Sequence, residues 1–306
     1  MNTTYMPGGD ALTGELLKAV SRSFFLTIRW LPRAMQDGVA LGYLLARATD
    51  SVADTSAAES SQREWVLERM GKAVAGELPA AEQEQLLQEL SGVLAAAQSN
   101  VAERVLLGRF GECLQILQKM PPGQAALIRS VLATIVEGQL WDLRYFREQH
   151  AVTSDEQTRL YTYQVAGCVG KFWTELGLET LGASFCAPAR KELMIEAGIR
   201  YGCGLQLVNI LRDREEDATR GRCYLCSPAE PWLRRAERYL RDGVDYSTRL
   251  CSFKLRFASM LPALIGLRTL RLMRHSKSGV RVKVPRRTVY ACMLHAVWLS
   301  SVQRAS

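Results

Sequence analysis

The stretch ARATDSVADT, residues 46 to 55, places Asp50 and Asp54 one helical turn apart at the end of an apolar run. Two carboxylates on one helix face repel each other, so this spacing costs helix stability unless something compensates it. Tyr43 and Arg47 precede the pair on the same face, and leucine and alanine dominate the other positions. The stretch therefore predicts a polar stripe set in apolar surroundings.

A second stripe of the same kind lies in GLQLVNILRDREED, residues 204 to 217. At helical spacing its polar positions share one face: Gln206, Asn209, Asp213, Glu216 and Asp217. Both acidic pairs are predicted at a helix C-terminus, where the macrodipole disfavours anions, and each has an arginine, Arg47 or Arg212. A single D-x-x-x-D is more often a solvated helix face, but two built alike indicate a compensating ligand on helices that could face each other.

Clustered carboxylates suit a hard divalent cation, and Mg²⁺ fits best because it keeps waters and bridges carboxylates to phosphate oxygens. No histidine cluster supports a softer metal. A diphosphate held by Mg²⁺ and arginines becomes a good leaving group, and an apolar cavity beyond it would protect the resulting cation from water. Aromatic side chains could stabilise that cation, although each alone is more often a core residue; the candidates are Phe24, Tyr43, Tyr161 and Phe172.

The balance of 39 Lys and Arg against 31 Asp and Glu gives a net charge of +8, which favours an anionic partner: nucleic acid, acidic lipid or a phosphorylated small molecule. Part of the excess lies in LRTLRLMRHSKSGVRVKVPRR near the C-terminus, which is either a patch facing phosphate or a membrane surface, or a solvated face. The apolar stretch VYACMLHAVWLSSV is too short to cross a bilayer, so any membrane contact should be peripheral.

The eight cysteines are scattered without a preceding signal peptide, which predicts reduced thiols and a cytoplasmic protein. Cys223 and Cys226 form a C-x-x-C pair, but no second pair or histidine stands at ligand spacing, so ordinary loop cysteines are favoured over zinc.

Composition and periodicity predict an all-helical protein, with residues 1–10 as a disordered lead and residues 11–306 as one domain. Pro32 should end the first helix, and the next should run from about residue 33 to the first acidic pair. The other predicted helices cover about 62–76, 80–97, 102–119, 122–149, 154–181, 188–217, 229–251, 253–274 and 285–303.

Four motifs occur in the order and rough spacing of the squalene/phytoene synthase family, and the chain resembles that family from about residue 14 to about 287. These motifs are SRSFF (21 to 25), YLLARATDSVAD (43 to 54), YTYQVAGCVG (161 to 170) and LQLVNILRDREEDATRGRCYL (205 to 225). The resemblance implies an all-α isoprenoid-synthase bundle around a central cavity. It also implies head-to-head condensation of two prenyl diphosphates bound through Mg²⁺, with no nucleic-acid partner.

Carried over by motif, the metal-binding positions are Asp50, Asp54, Asp213, Glu216 and Asp217. The diphosphate contacts are Ser21, Arg22, Arg47 and Arg212, with Gln206 and Asn209 as polar neighbours. Tyr43 and Tyr161 match tyrosines of the reaction centre, Val165 and Val169 the wall of the hydrocarbon tunnel, and Phe24 lies in the first motif. Lys283 aligns with a basic residue toward reductant or diphosphate, but Pro285 stands where a second basic residue is common.

YLLARATD, VAGCVG and GVRVKVPRR are more similar to squalene synthases, which implies farnesyl diphosphate as substrate, NADPH as reductant and squalene as product. Three alternatives stay open: a phytoene or dehydrosqualene synthase without reductant, a non-catalytic relative that binds partners or lipid surfaces, and a terpene cyclase. The cyclase is disfavoured because the ligand positions of DREED are all acidic. Oligomeric state is not predicted.

Overall fold

The computed structural model describes residues 11–21, 24–55, 57–275 and 282–301. The predicted lead, residues 1–10, and Arg22 lie outside these ranges, and the side chain of Phe24 is likewise not described. The described chain is all-helical, as predicted, and its one extended pairing is an isolated bridge between Ala151 and Cys223.

The chain forms two compact units, Met1–Leu143 and Arg144–Ser306. The prediction of one domain over residues 11–306 stays a prediction. Helix α9 begins in the first unit, and its last residues belong to the second.

In the first unit, a π-helical turn, Ala11–Leu16, leads into α1, and α3 packs against α1, α2, α4, α7 and α8. Pro32 precedes α3, as the sequence predicts, because a proline ring disfavours helical backbone in the residue before it. The helices are α1 (Leu17–Ser21), α2 (Phe24–Trp30), α3 (Arg33–Asp54), α4 (Ser60–Ala75), α5 (Ala80–Glu89), α6 (Ala95–Ala97), α7 (Val101–Gly108), α8 (Phe110–Lys119) and α9 (Pro122–Glu148). A π-helical segment, Leu90–Leu94, joins α5 to α6.

In the second unit, α12 packs against α10, α11, α13 and α14, and α15 packs against α14. A π-helical segment, Tyr163–Gly167, joins α10 to α11, so that the predicted helix over 154–181 is continuous but locally widened. The helices are α10 (Asp155–Thr162), α11 (Cys168–Leu181), α12 (Lys191–Thr219), α13 (Ala229–Thr248), α14 (Phe253–His275) and α15 (Arg286–Ser301). Between α11 and α12 lie two short 3-10 turns, Gly182–Ser184 and Pro188–Arg190.

No helix within the described ranges combines the length and the apolar character that a bilayer crossing requires.

Candidate functional site

Helix α3 carries the first acidic pair in its last turn, as predicted. Leu41, Leu44, Leu45 and Ala48 are almost completely buried and hold the helix against its neighbours. On the remaining face, Tyr43, Arg47 and Asp50 are half-buried, and Asp54 is exposed. The polar stripe thus borders the core of the first unit.

The Arg47 guanidinium is held by the buried carboxylate of Glu103, with 2.5 Å between Arg47 Nη2 and Glu103 Oε1. Glu103 also accepts hydrogen bonds from Ser51 Oγ at 2.9 Å and Asn100 Nδ2 at 2.8 Å. The buried Nε of Arg47 has no hydrogen-bond partner among the described residues. The guanidinium therefore has a fixed orientation and a donor left over.

Asp50 accepts a hydrogen bond from Gln139 Nε2 at 2.6 Å, and its other oxygen lies 4.0 Å from Arg47 Nη1. Loss of solvent around the carboxylate raises the pKa of Asp50 to about 6, and the nearby Asp54 carboxylate adds to this rise. Arg47 and Gln139 oppose the rise but do not cancel it. The fold therefore disfavours two negative charges at this pair, which is what a cation would relieve.

The residue that precedes the first motif, Val20, contacts this stripe. Tyr43 Oη donates to the Val20 carbonyl at 3.3 Å, which ties α3 to α1, and burial raises the pKa of the Tyr43 hydroxyl. Ser21 is buried, and its hydroxyl donates to Leu17 O within α1. This local bond occupies the donor of Ser21, so its predicted role as a diphosphate contact stays a prediction.

The second stripe occupies the last four turns of α12, again ending beside the helix C-terminus, as predicted. Asn209 Nδ2 donates to Gln206 Oε1 at 3.3 Å. Arg212 forms a two-pronged contact with Asp213, through Nε to Oδ1 at 2.9 Å and through Nη2 to Oδ2 at 2.5 Å. Because both prongs are charge-assisted, Asp213 has a fixed orientation.

Asp217 follows Asp213 by one turn. Burial raises the pKa of Asp217 to about 6, the Asp213 carboxylate adds to it, and Arg220 and Arg222 oppose it. The Asp217 carbonyl accepts the backbone N–H groups of Arg220 at 3.0 Å and Arg222 at 2.9 Å in the turn after α12. The second pair thus repeats the electrostatics of the first.

Helix α12 lies unusually close to the helix that carries Tyr161. A Cβ built on Gly170 would stand 1.9 Å from the Gly198 carbonyl oxygen, and one on Gly202 would stand 2.2 Å from the Ala166 carbonyl oxygen. Only glycine permits this approach of two backbones. Gly170 of the VAGCVG motif and Gly202 of α12 therefore set the separation between the two helices.

Tyr161 stacks on Tyr224, with ring centroids 4.9 Å apart and an interplanar angle of 12°, and Phe146 meets Tyr224 edge-on at 5.0 Å. Tyr224 lies in the loop after α12. It is held in place by α10, because Thr158 Oγ1 donates to the Tyr224 carbonyl at 2.7 Å. The backbone N–H of Cys223 donates a further hydrogen bond to the His150 carbonyl at 3.0 Å. The second unit therefore contains an aromatic cluster next to the valine positions.

Val165 is half-buried in the π-helical segment, and Val169, one turn on, is 40% exposed. Both are accessible apolar side chains, as a tunnel wall requires, but their predicted place in a tunnel stays a prediction. Lys283 is exposed in the stretch before α15, and no hydrogen bond or ion pair of the described residues joins it to α12. Its predicted contact with reductant also stays a prediction.

Cys223 and Cys226 have separate hydrogen-bond partners. Cys226 Sγ lies 3.2 Å from Asp155 Oδ1, Cys223 Sγ lies 3.4 Å from the Leu225 carbonyl oxygen, and all eight cysteines are free thiols. Among residues 11–21, 24–55, 57–275 and 282–301, no three His, Cys, Asp or Glu side chains are grouped so that they could hold a metal ion by themselves.

The family model of squalene/phytoene synthases matches residues 17–232, which includes both acidic pairs, the glycine-mediated helix contact and the aromatic cluster. The chain belongs to the squalene/phytoene synthase family.

Curated members of this family are similar to the chain over most of its length. A bifunctional lycopene cyclase/phytoene synthase of Phaeosphaeria nodorum is 29% identical over 238 residues, 77% of this chain and 36% of that protein. Squalene synthase ERG9 of Candida albicans is 27% identical over 224 residues, 73% of this chain and 46% of that protein. The chain thus spans less than half the length of these two relatives.

A solved complex of TcSQS with the ligand E5700 superposes with a TM-score of 0.71 at 21% identity, over 94% of this chain and 85% of that one. The all-α fold is therefore the isoprenoid-synthase fold of the squalene/phytoene synthase family, as the motifs predict.

Sequence reasoning missed three residues that organise the site of this family member: Glu103, Gln139 and Tyr224. Glu103 stands three residues after the N-cap Asn100. This spacing predicts the start of a helix and does not indicate that Glu103 pairs with an arginine. Gln139 lies in the middle of α9 with no local signal. Tyr224 could have been found, because it lies inside the fourth motif, seven residues after Asp217.

Proposed function

We propose that the chain joins two prenyl diphosphates head to head, converting two farnesyl diphosphates by way of presqualene diphosphate to squalene. The observation that carries this proposal is the pair of acidic stripes. Each ends beside a helix C-terminus, each has an arginine in contact with its first aspartate, and both lie within the family match.

The metal positions proposed for Mg²⁺ are Asp50, Asp54, Asp213, Glu216 and Asp217. The donor set fits, because all are carboxylates and the pKa values of about 6 at Asp50 and Asp217 mark uncompensated negative charge. Each stripe contributes too few ligands to hold the ion by itself, so substrate oxygens and water would supply the remaining ligands. When bound, Mg²⁺ supplies neutralising charge for the departing diphosphate.

Arg47 and Arg212 are the residues proposed to act at the diphosphates besides the carboxylates. Arg47, held by Glu103, presents its guanidinium in a fixed orientation, so that no reorganisation is needed when negative charge develops on the leaving group. Arg212 orients Asp213, and Asn209 and Gln206 offer amide groups one and two turns earlier. Breaking the C–O bond sends its electron pair to the diphosphate and leaves an allylic cation.

The apolar and aromatic residues would shelter that cation. In the proposed reaction the double bond of the second substrate captures the cation, and loss of one proton closes a cyclopropylcarbinyl diphosphate. A second ionisation and rearrangement then gives the C1 to C1' linked skeleton. Tyr161, stacked on Tyr224, offers a π-face and a hydroxyl, and Val165 and Val169 exclude water from the hydrocarbon.

The last cation is quenched by hydride, giving squalene, or by proton loss, giving dehydrosqualene or phytoene. The motifs similar to squalene synthases support hydride from NADPH. Lys283 would lie toward such a reductant, with Pro285 in place of a second basic residue. The similarity to a protein named as a phytoene synthase supports proton loss as the second candidate.

The hydrocarbon assay tests the proposal. The full chain is incubated with farnesyl or geranylgeranyl diphosphate in Mg²⁺, with and without NADPH, and the extracted products are analysed. We expect squalene from farnesyl diphosphate only when NADPH is present. Phytoene from geranylgeranyl diphosphate without NADPH would instead establish the second candidate.

Release of diphosphate is measured in the same reactions, with Asp50→Asn as the inactive control and Val101→Asp, an exposed change elsewhere, as the active one. If no prenyl substrate releases diphosphate, the chain is a non-catalytic relative and the proposal fails.

We also propose a cytoplasmic location, which the eight free thiols support.

A further inference from the structure

Helix α15 presents an apolar face that no described residue covers. Tyr290, Leu294, Val297 and Trp298 are 62%, 73%, 42% and 62% exposed. Their spacing of four, seven and eight residues from Tyr290 places them on one side of the helix. Four large side chains in one exposed row are not scattered surface hydrophobics, so they indicate a binding surface.

The opposite side of α15 is fixed to the second unit. Cys292 and Ala296 are buried in a cluster with Met260 and Leu264 of α14, and Leu299 packs against it. The exposed row is therefore held on a docked helix, with its apolar side chains pointing away from the protein.

Basic residues are concentrated in the part of the sequence that contains α15. Residues 246–306 contain twelve Lys and Arg and no Asp or Glu, so the rest of the chain has a net charge of −4 against +8 for the whole. Lys283, Arg286 and Arg287 are exposed at the start of α15 and make no ion pair within the described residues, and Arg271 is exposed on α14. Arg274 is paired with Glu237, but Arg286 and Arg287 lie on the same helix as the apolar face and have no ion-pair partner among the described residues.

The combination selects one occupant. Leucine and tryptophan on one face with lysine and arginine beside them is the pattern of a helix that lies in the interface of an anionic membrane. A second copy of the chain is disfavoured, because a two-fold contact through this face would bring the basic groups of both copies together. An anionic lipid surface compensates the same groups.

We propose that the exposed face of α15, with Arg286 and Arg287, docks the protein on the surface of an anionic membrane, its apolar side chains entering the level of the headgroups. This surface shares no residue with the carboxylate stripes, so the proposal does not depend on catalysis.

Vesicle sedimentation of the full chain tests it. Vesicles of phosphatidylcholine alone are compared with vesicles that also contain phosphatidylglycerol, at low and high salt. We expect binding to the anionic vesicles, weakened by salt. Leu294→Asp should weaken binding by about tenfold or more through lost apolar burial, and the double change Arg286→Glu, Arg287→Glu by a similar factor through reversed charge.

The controls are Val101→Asp and Lys119→Glu, which introduce the same kinds of charge change at exposed positions of the first unit. Trp298→Ser provides a second variant of the face in case Leu294→Asp fails to fold, which circular dichroism would show. Equal binding by all variants, or no preference for anionic vesicles, would overturn the proposal. So would light scattering that shows a dimer which Leu294→Asp dissociates, because a second copy would then cover the face.

Discussion

Asp50 carries its charge where the surrounding protein disfavours it. A carboxyl whose folded pKa of about 6 lies above its unfolded value stabilises the fold only while protonated. That stability is present below a pH of about 4 and is lost as the pH rises through about 6.

Asp50→Asn keeps an acceptor for Gln139 and removes the charge, so we expect it to raise stability without Mg²⁺ at pH 7. The gain should be about 1 kcal/mol, less than the pKa implies for an enclosed group, because 46% of the Asp50 side chain is exposed. Urea unfolding across pH checks this, and the gain should vanish below a pH of about 4.

Asp155→Asn is the matched control with the opposite sign. Hydrogen bonds from Ser227 and Cys226 lower the pKa of Asp155, so this carboxylate stabilises the fold above its unfolded pKa and loses that effect as the pH falls. A destabilised Asp50→Asn at pH 7 would show that the Asp50 carboxylate is already compensated by the protein itself.

Glu103 is the residue on which Arg47 depends. Glu103→Gln keeps the size of the side chain but leaves the Arg47 guanidinium without its counter-charge, which should cost roughly 2 kcal/mol of unfolding free energy and lower kcat/KM by at least about tenfold. Denaturant unfolding and steady-state kinetics measure both quantities.

Glu112→Gln removes a more exposed pair with Arg109 and serves as the control, with an expected change below about 0.5 kcal/mol. If Glu103→Gln has no larger effect than Glu112→Gln on either quantity, Glu103 does not position Arg47.

Tyr161→Phe keeps the ring that stacks on Tyr224 and removes the hydroxyl. We expect the ratio of presqualene diphosphate to final hydrocarbon to change more than KM, because the hydroxyl would act after substrate binding. Product analysis by chromatography checks this, and an unchanged ratio would assign the hydroxyl no part in the second half of the reaction.

The acidic residues of the two stripes could be predicted from their spacing in the sequence. The residues whose side chains form hydrogen bonds or ion pairs with the first stripe could not. Asp50, Asp54, Asp213 and Asp217 repeat one pattern at two helix ends, which periodicity exposes. Glu103 and Gln139 reach α3 from α7 and α9, and contacts across such sequence separations leave no periodic signal.

At the scale of elements, the close contact of α11 with α12 should be disrupted by the addition of a single methyl group. Gly170→Ala would place a methyl group against the Gly198 carbonyl oxygen, so the helices must separate, at a cost of about 3 kcal/mol. Gly108→Ala is the control, because nothing lies within 4 Å of its Cβ position, and it should stabilise by up to about 1 kcal/mol.

Thermal unfolding of both variants gives the answer. Gly170→Ala with an unchanged melting temperature would mean that the two backbones are not in the contact that the glycines permit. The activity of this variant should fall with its stability, because the same contact sets Tyr161 and Val165 against α12.

Helix boundaries followed from local chemistry. Pro32 separates α2 from α3, and Pro122 begins α9 after the MPPGQ turn, as predicted. The predicted helix over 102–119 is instead two helices that meet at Arg109, whose φ of −103° and ψ of 11° interrupt the helical backbone. No proline marks this break, so composition could not reveal it.

At the scale of the whole molecule, each compact unit contains one of the two acidic pairs, with an arginine in contact with its first aspartate. The proposed function requires both pairs to bind the same substrates. Family membership supports this requirement, since the model of the family spans both pairs. Neither the helical periodicity nor the packing within either unit supplies the arrangement of the two pairs.

A crystal structure of the full chain with Mn²⁺ in place of Mg²⁺ and a thio-diphosphate analogue of farnesyl diphosphate measures that arrangement directly. We expect anomalous peaks that mark Mn²⁺ ions coordinated by oxygens of the diphosphate. Asp50 or Asp54 and Asp213 or Asp217 should be their protein ligands around one chamber. Metal bound at one pair alone, or the two pairs facing separate regions of solvent, would contradict it.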